Sequence, residues 1–220
     1  EPFNTLYDPQ KVPSAVRATS LEEEGRQHPM LSVLHEMKPK NDFFESSSDS
    51  PVAQMSDQEF LQAKATYFGL MTEIDEQLGR VFDYLKATNQ YNSTLIVFTS
   101  DHGEQLGDHY LFGKLGYFEA SYHIPLIIRD PQRQLKKVKT LEHFSESVDV
   151  MPTILDWLGL EIPDQCDGRS LLPFLENEVP RNWREEVHSE FDFRWIGSYQ
   201  PLIEERFGLL PDECSLVIIR

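Results

Sequence analysis

Apolar residues along the chain keep two rhythms. After Ser56-Asp-Gln-Glu59, which has the form of a capping box, Phe60, Tyr67, Met71, Ile74, Leu78, Val81 and Leu85 recur at helical spacing. One amphipathic helix is expected to run to about Thr88, with this stripe in the core and Glu73, Asp75 and Glu76 on the solvated side. A polar turn over Asn89 to Ser93 then leads into Thr94-Leu-Ile-Val-Phe-Thr99, whose unbroken apolar centre suits a parallel strand buried on both faces. Helix followed by such a strand predicts an α/β sheet. A second strand fits Ile124 to Arg129, closed by Asp130-Pro131. A helix fits Asp149 to Leu158, with Asp149 as N-cap and Gly159 as C-cap. Further strands are expected near Glu186 to Phe191 and Ser215 to Ile219. Before residue 56 no period survives: prolines and Ser46-Ser-Ser-Asp-Ser50 break it, and residues 1–55 read as loop draped over another part of the molecule.

With 40% hydrophobic and 11% aromatic residues, the 220-residue chain can fill one sizeable core or part of a larger one. No apolar run approaches the roughly 20 residues that cross a bilayer, so no membrane association is expected. A net charge of −17 excludes a broad nucleic-acid surface. Any anionic ligand would need a metal and a few placed cations to reverse that field locally. Cys166 and Cys214 are read as unpaired thiols of a reducing compartment, and a cytoplasmic location is expected. The sequon Asn92-Ser93-Thr94 is read as a turn. Position 1 is Glu, and Ser215-Leu-Val-Ile-Ile-Arg220 resembles a strand cut part-way, so the sequence is expected to be a piece of a longer protein.

Asp101-His102-Gly103-Glu104 leaves the carboxyl end of the apolar strand, where open α/β sheets gather ligands. Carboxylate beside imidazole suits a divalent transition metal. Taken alone, the two are more simply a turn cap and a polar rim residue. Gly103, Gly107, Gly113 and Gly116 mark residues 100–120 as a loop of special backbone shapes.

The wider context changes that reading. Ser100-Asp-His-Gly-Glu-Gln-Leu-Gly-Asp-His109, Lys114 and Glu119-Ala-Ser-Tyr-His-Ile-Pro-Leu-Ile-Ile128 together resemble the sulfatase branch of the alkaline phosphatase superfamily. Within it the resemblance is closest to phosphonate monoester hydrolases and their phosphodiesterase relatives. Ile74-Asp-Glu-Gln-Leu-Gly79, Asp149-Val-Met-Pro-Thr153, Asp167-Gly-Arg-Ser-Leu171 and His188-Ser-Glu-Phe-Asp-Phe-Arg194 extend it over most of residues 60–195.

The resemblance implies part of an alkaline-phosphatase-like α/β fold, a mixed and mainly parallel sheet flanked by helices. It divides the chain into three stretches: 1–55, loop-rich and packed on the main domain; 56–180, the C-terminal part of the hydrolytic domain; and 181–220, the truncated start of a smaller C-terminal α+β region. It also implies Asp101 and His102 as ligands of one divalent metal. Imidazole in place of the Asn of many sulfatases favours manganese, zinc or iron, with calcium as the alternative. Lys114 would meet the non-bridging oxygens of a small anionic ester as a catalytic charge. Asp108 and His109 are read as loop-shaping groups, His123 stands where relatives often carry Arg, and His188, Glu190 and Arg194 are read as structural. The implied activity is hydrolysis of phosphonate monoesters, phosphodiesters or sulfate esters by a formylglycine-type nucleophile. A mutase or transferase of the superfamily, or a non-catalytic module, is the alternative, and the intact enzyme could be a homo-oligomer. No Cys-x-Pro-x-Arg motif occurs, and Cys166-Asp-Gly-Arg169 lacks its proline and spacing.

Overall fold

The computed structural model describes residues 2–44, 49–133, 140–176, 178–193 and 199–220. Its helices are α1 (Leu21–Gly25), α2 (Pro29–Met37), α3 (Asp57–Ala87), α4 (Glu119–Tyr122), α5 (Val150–Trp157), α6 (Leu172–Leu175) and α7 (Gln200–Phe207). The strands are β1 (Ile96–Thr99), β2 (Leu126–Arg129), β3 (His188–Asp192) and β4 (Ser215–Ile219). β1 pairs with β2, and β3 with β4. The expected α/β character holds. Arg194 and Ser46 to Ser48 lie outside the described residues. No described helix is long and apolar enough to cross a membrane. Two compact units are distinguished, 1–128 with 191–216 and 129–190 with 217–220.

In the first unit α3 forms as its sequence predicts. The Ser56 side chain accepts the Glu59 N–H, and Glu59 reaches back to the Ser56 N–H. Hydrogen bonds from Lys40 and Ser56 hold the Glu59 carboxylate down to about 2. The helix ends at Ala87, followed by Asn89 in the left-handed region at φ 57°. Its apolar stripe departs from expectation. Phe60 and Ala65 are buried, but Met71, Ile74 and Val81 are each more than half exposed, because no described element covers that length of the helix. β1 departs in the same way: with β2 as its neighbour and no described layer on it, Phe98 and Thr99 are exposed rather than buried on both faces.

The stretch expected to be loop supplies a share of the main core. Pro29 opens α2 at the position where its missing N–H costs nothing, His28 Nδ1 accepts the Met30 N–H, and extended Lys38 before Pro39 closes it. Met30, Leu31, Val33 and Leu34 are buried with Leu111, Phe118, Phe193, Tyr199 and Ile203. Nine residues offer too few turns for a helical period to stand out among prolines.

In the second unit, Asp149 precedes α5 as expected, but its side chain does not cap that helix. Fully buried, it accepts the N–H groups of Glu146 and Arg169, each at 2.8 Å, and the guanidinium of Arg184. These donors outcompete the cap. Thr153 Oγ1 donates to the Asp149 carbonyl at 2.6 Å and accepts the Leu171 N–H at 2.9 Å. Between them Gly168 sits so close that a Cβ there would fall 2.0 Å from the Val148 carbonyl oxygen. The segments 149–153 and 167–171 are thus fastened to each other.

Candidate active-site loop

Residues 100–116 run from the end of β1 and fold back on themselves. Gln105 N–H donates to the Gly113 carbonyl at 3.0 Å, Gln105 Nε2 to the Leu115 carbonyl at 2.6 Å, and Gly107 N–H to the Leu111 carbonyl at 2.8 Å. The Glu104 carboxylate accepts the Gly113 N–H. Two strands of loop are thereby zipped, and they bring the 102 end toward the 114 end. Gly103 presses the loop onto α4: its N–H donates to the Ser121 carbonyl at 2.9 Å, and a Cβ would lie 2.0 Å from the Ala120 carbonyl oxygen. No larger residue fits there without parting the two segments.

Asp101 and His102 come together at the mouth of this loop. The Asp101 side chain is 84% exposed and His102 34%. His102 Nδ1 lies 2.7 Å from the Gly103 carbonyl oxygen, which can only accept, so Nδ1 carries the proton. In neutral imidazole Nε2 then presents a lone pair, and it stands 3.5 Å from Asp101 Oδ2. Two donors bound to one ion at about 2.1 Å with a tetrahedral angle lie roughly 3.4 Å apart, so the pair has the bite of a metal-binding edge. Desolvation, the largest single effect, raises the Asp101 carboxyl, but the backbone N–H groups of Asp101 and His102 and the charges of His102 and Lys114 together outweigh it and hold the carboxyl low. Lys114 is exposed and near enough for that influence. Among the described residues no group of three or more His, Cys, Asp or Glu could hold a metal. Two of the usual four protein or solvent positions are therefore the most this loop offers.

The turn of the loop carries Asp108 and His109 away from the Asp101 side and onto the N-terminal segment. Asp108 Oδ1 accepts the Val16 N–H at 2.8 Å, and His109 Nδ1 meets Glu24 Oε1 at 2.8 Å. His109 and Tyr110 hold positive φ values of 54° and 59° without being glycine, a strain the surrounding bonds must sustain. Buried Gln105 and Glu24 also shape the loop, and no motif of ligand spacing singles out these two in the sequence. His123 is exposed, 3.5 Å from Glu119, and His188 is exposed beside Glu186.

A sulfatase family model matches residues 7–160, and a model described as N-sulphoglucosamine sulphohydrolase, C-terminal, matches 107–217. The chain is 48% identical over 218 residues to the multifunctional alkaline phosphatase superfamily protein PehA of Trinickia caryophylli, covering 99% of this chain and 42% of that protein. Phosphonate monoester hydrolase structures superpose over all of it: that from Silicibacter pomeroyi with TM-score 0.87 at 41% identity, and that from Agrobacterium radiobacter with TM-score 0.90 at 39%. It spans 42% and 43% of those chains. Matched by the family model over well more than half its length, the chain belongs to the sulfatase family, within the alkaline phosphatase superfamily.

Proposed function

We propose that this chain forms one wall of the active site of a metal-dependent hydrolase acting on phosphonate monoesters, phosphodiesters or sulfate esters. The observation that carries the reading is the 3.5 Å edge between His102 Nε2 and Asp101 Oδ2. It lies on the loop that also bears Lys114. In this reading Asp101 and His102 hold one divalent cation, whose Lewis acidity lowers the pKa of an attacking hydroxyl and balances charge on the ester oxygens. A nitrogen donor favours manganese, zinc or iron over calcium. The Gly103 carbonyl keeps the His102 ring oriented, and the Glu104 carboxylate holds the Gly113 N–H, steadying the backbone that carries Lys114. Lys114 supplies positive charge to the non-bridging oxygens of the ester, which an acidic protein of net charge −17 would otherwise repel.

For a phosphonate monoester the net reaction cleaves the P–O bond to the alcohol: the oxygen of water ends on phosphorus and a proton on the departing alcohol. The attacking hydroxyl would belong to a formylglycine-type residue outside these 220 residues, since no Cys-x-Pro-x-Arg motif occurs among them.

The test is His102→Ala in the full-length protein, assayed on an aryl phosphonate monoester, an aryl phosphodiester and an aryl sulfate, with metal measured by elemental analysis. Metal and turnover are expected to be lost together. Calcium retained in equal stoichiometry by wild type and variant, with equal turnover, would refute the assignment.

A further inference from the structure

Beside the loop, and within the first unit, lies a cavity of about 770 Å³ whose walls are set by Phe43, Phe44, Met55, Tyr67, Leu106 and Phe112. Its rings are ordered among themselves. Phe44 meets Phe112 edge-on with centroids 5.2 Å apart, and Phe60 stacks behind Phe112 at 5.5 Å with planes 3° from parallel. Phe60 and Phe112 are buried, so this wall is built before any ligand arrives.

Two observations say what the cavity would accept. The first is connectivity. Glu104 and Phe112 both line it, and each is two residues from a proposed active-site group, His102 and Lys114. Two residues span at most about 7 Å of chain, so the backbones of two lining residues lie within that reach of both groups. The second is charge. Its carboxylates are Glu104 and Glu59, while its lysine, Lys40, is already engaged by Glu59. An anionic group would meet carboxylates there and no unengaged cation among the described residues, whereas an uncharged organic group would meet aromatic faces and edges. The anionic head of an ester belongs at Lys114 and the Asp101–His102 edge, and its neutral part has this cavity as the adjoining apolar space.

We infer that this cavity is the subsite for the alcohol portion of the ester, and that it selects bulky apolar, preferably aromatic, alcohols. The inference rests on the function proposed above and deepens it.

The experiment uses the full-length protein and two monoesters of methylphosphonic acid, the 2-naphthyl and the methyl ester. The two alcohols leave at different intrinsic rates, so the quantity read is the naphthyl-to-methyl ratio of kcat/KM in each variant relative to wild type. Ala63→Trp places an indole in the cavity from α3, and Gln62→Trp narrows it from an exposed position that tolerates a large side chain. Both are expected to lower the ratio at least tenfold. A ratio unchanged in folded Gln62→Trp protein would overturn the inference. So would a full-length structure in which another segment of the protein fills the cavity. Wild-type protein inactive on every ester would refute the proposed function itself, whereas an active wild type with an unmoved ratio refutes only the subsite.

Discussion

The imidazole of His109 lies flat on the ring of Phe118, with centroids 3.6 Å apart and planes 8° from parallel, while its Nδ1 meets the fully buried carboxylate of Glu24 at 2.8 Å. Glu24 also accepts the Ala18 N–H and Gln27 Nε2. One carboxylate thus ties α1 to the left-handed tip of the candidate active-site loop. Glu24→Ala takes the shared acceptor from these part-buried donors and is expected to cost about 2 kcal/mol of stability. Urea unfolding of the intact protein measures it, and hydrogen exchange at Gly107 to Leu111 should quicken. An unchanged midpoint would show that the tie is dispensable.

His35 predicts a pH dependence. Burial lowers its pKa, outweighing the raising effects of the His109 carbonyl and of Glu24, and the charge of His109 lowers it further. Nε2 lies 2.8 Å from the His109 carbonyl oxygen, so it carries the proton, and buried Nδ1 has no partner. The neutral ring is the form that fits. Its contribution is therefore complete above the unfolded value of about 6.5 and is lost as the pH falls from there toward the lower folded value. The slope in that window should not exceed about 1.4 kcal/mol per pH unit. His28, also held down by burial, titrates in the same range, so the difference between wild type and His35→Gln isolates His35. Parallel stability curves for the two proteins would rule the effect out.

Lys114→Ala in the full-length protein is expected to lower kcat/KM on phosphonate and sulfate esters alike, by about 100-fold or more, with metal content unchanged. The lysine would serve charge that both chemistries share. Undiminished rates on both substrates would make it an ordinary surface lysine.

Arg184→Met should destabilise by about 3 kcal/mol, because it strips a buried carboxylate of its charged partner. Burial raises the Asp149 carboxyl, but Arg184 and the N–H groups of Arg169 and Glu146 outweigh it and hold the carboxyl below its usual range. Wild type and variant should therefore differ fully above about pH 4 and converge as the pH drops through the lower folded value. A difference that persists unchanged in acid would point to lost packing, not lost charge.

How far these features could be read from residues alone depended on how local their causes are. The capping box Ser56/Glu59 and the strand leading into Asp101-His102-Gly103 are local, and they stand where expected. The pairing of Asp101 with His102 follows from adjacency. α2 escaped because a nine-residue helix among prolines carries little period, although Met30, Leu31 and Leu34 form the heart of the core. The tie between Glu24 and His109 spans 85 positions and has no motif spacing at all. Met71, Ile74 and Val81 were expected inside from their period, but periodicity reports which face is apolar, not whether anything covers it.

Gly168 lies against the Val148 carbonyl while Arg169 and Leu171 donate to Asp149 and Thr153, so two peptide segments about twenty positions apart are two halves of one clasp. Neither half has meaning without the other. In shuffling between relatives, a crossover placed between residues 153 and 167 would pair a clasp half with a stranger's counterpart, while one placed before 146 or after 184 would carry the whole device across. The permissible seams of this protein are therefore set by a contact in which none of the proposed site residues takes part.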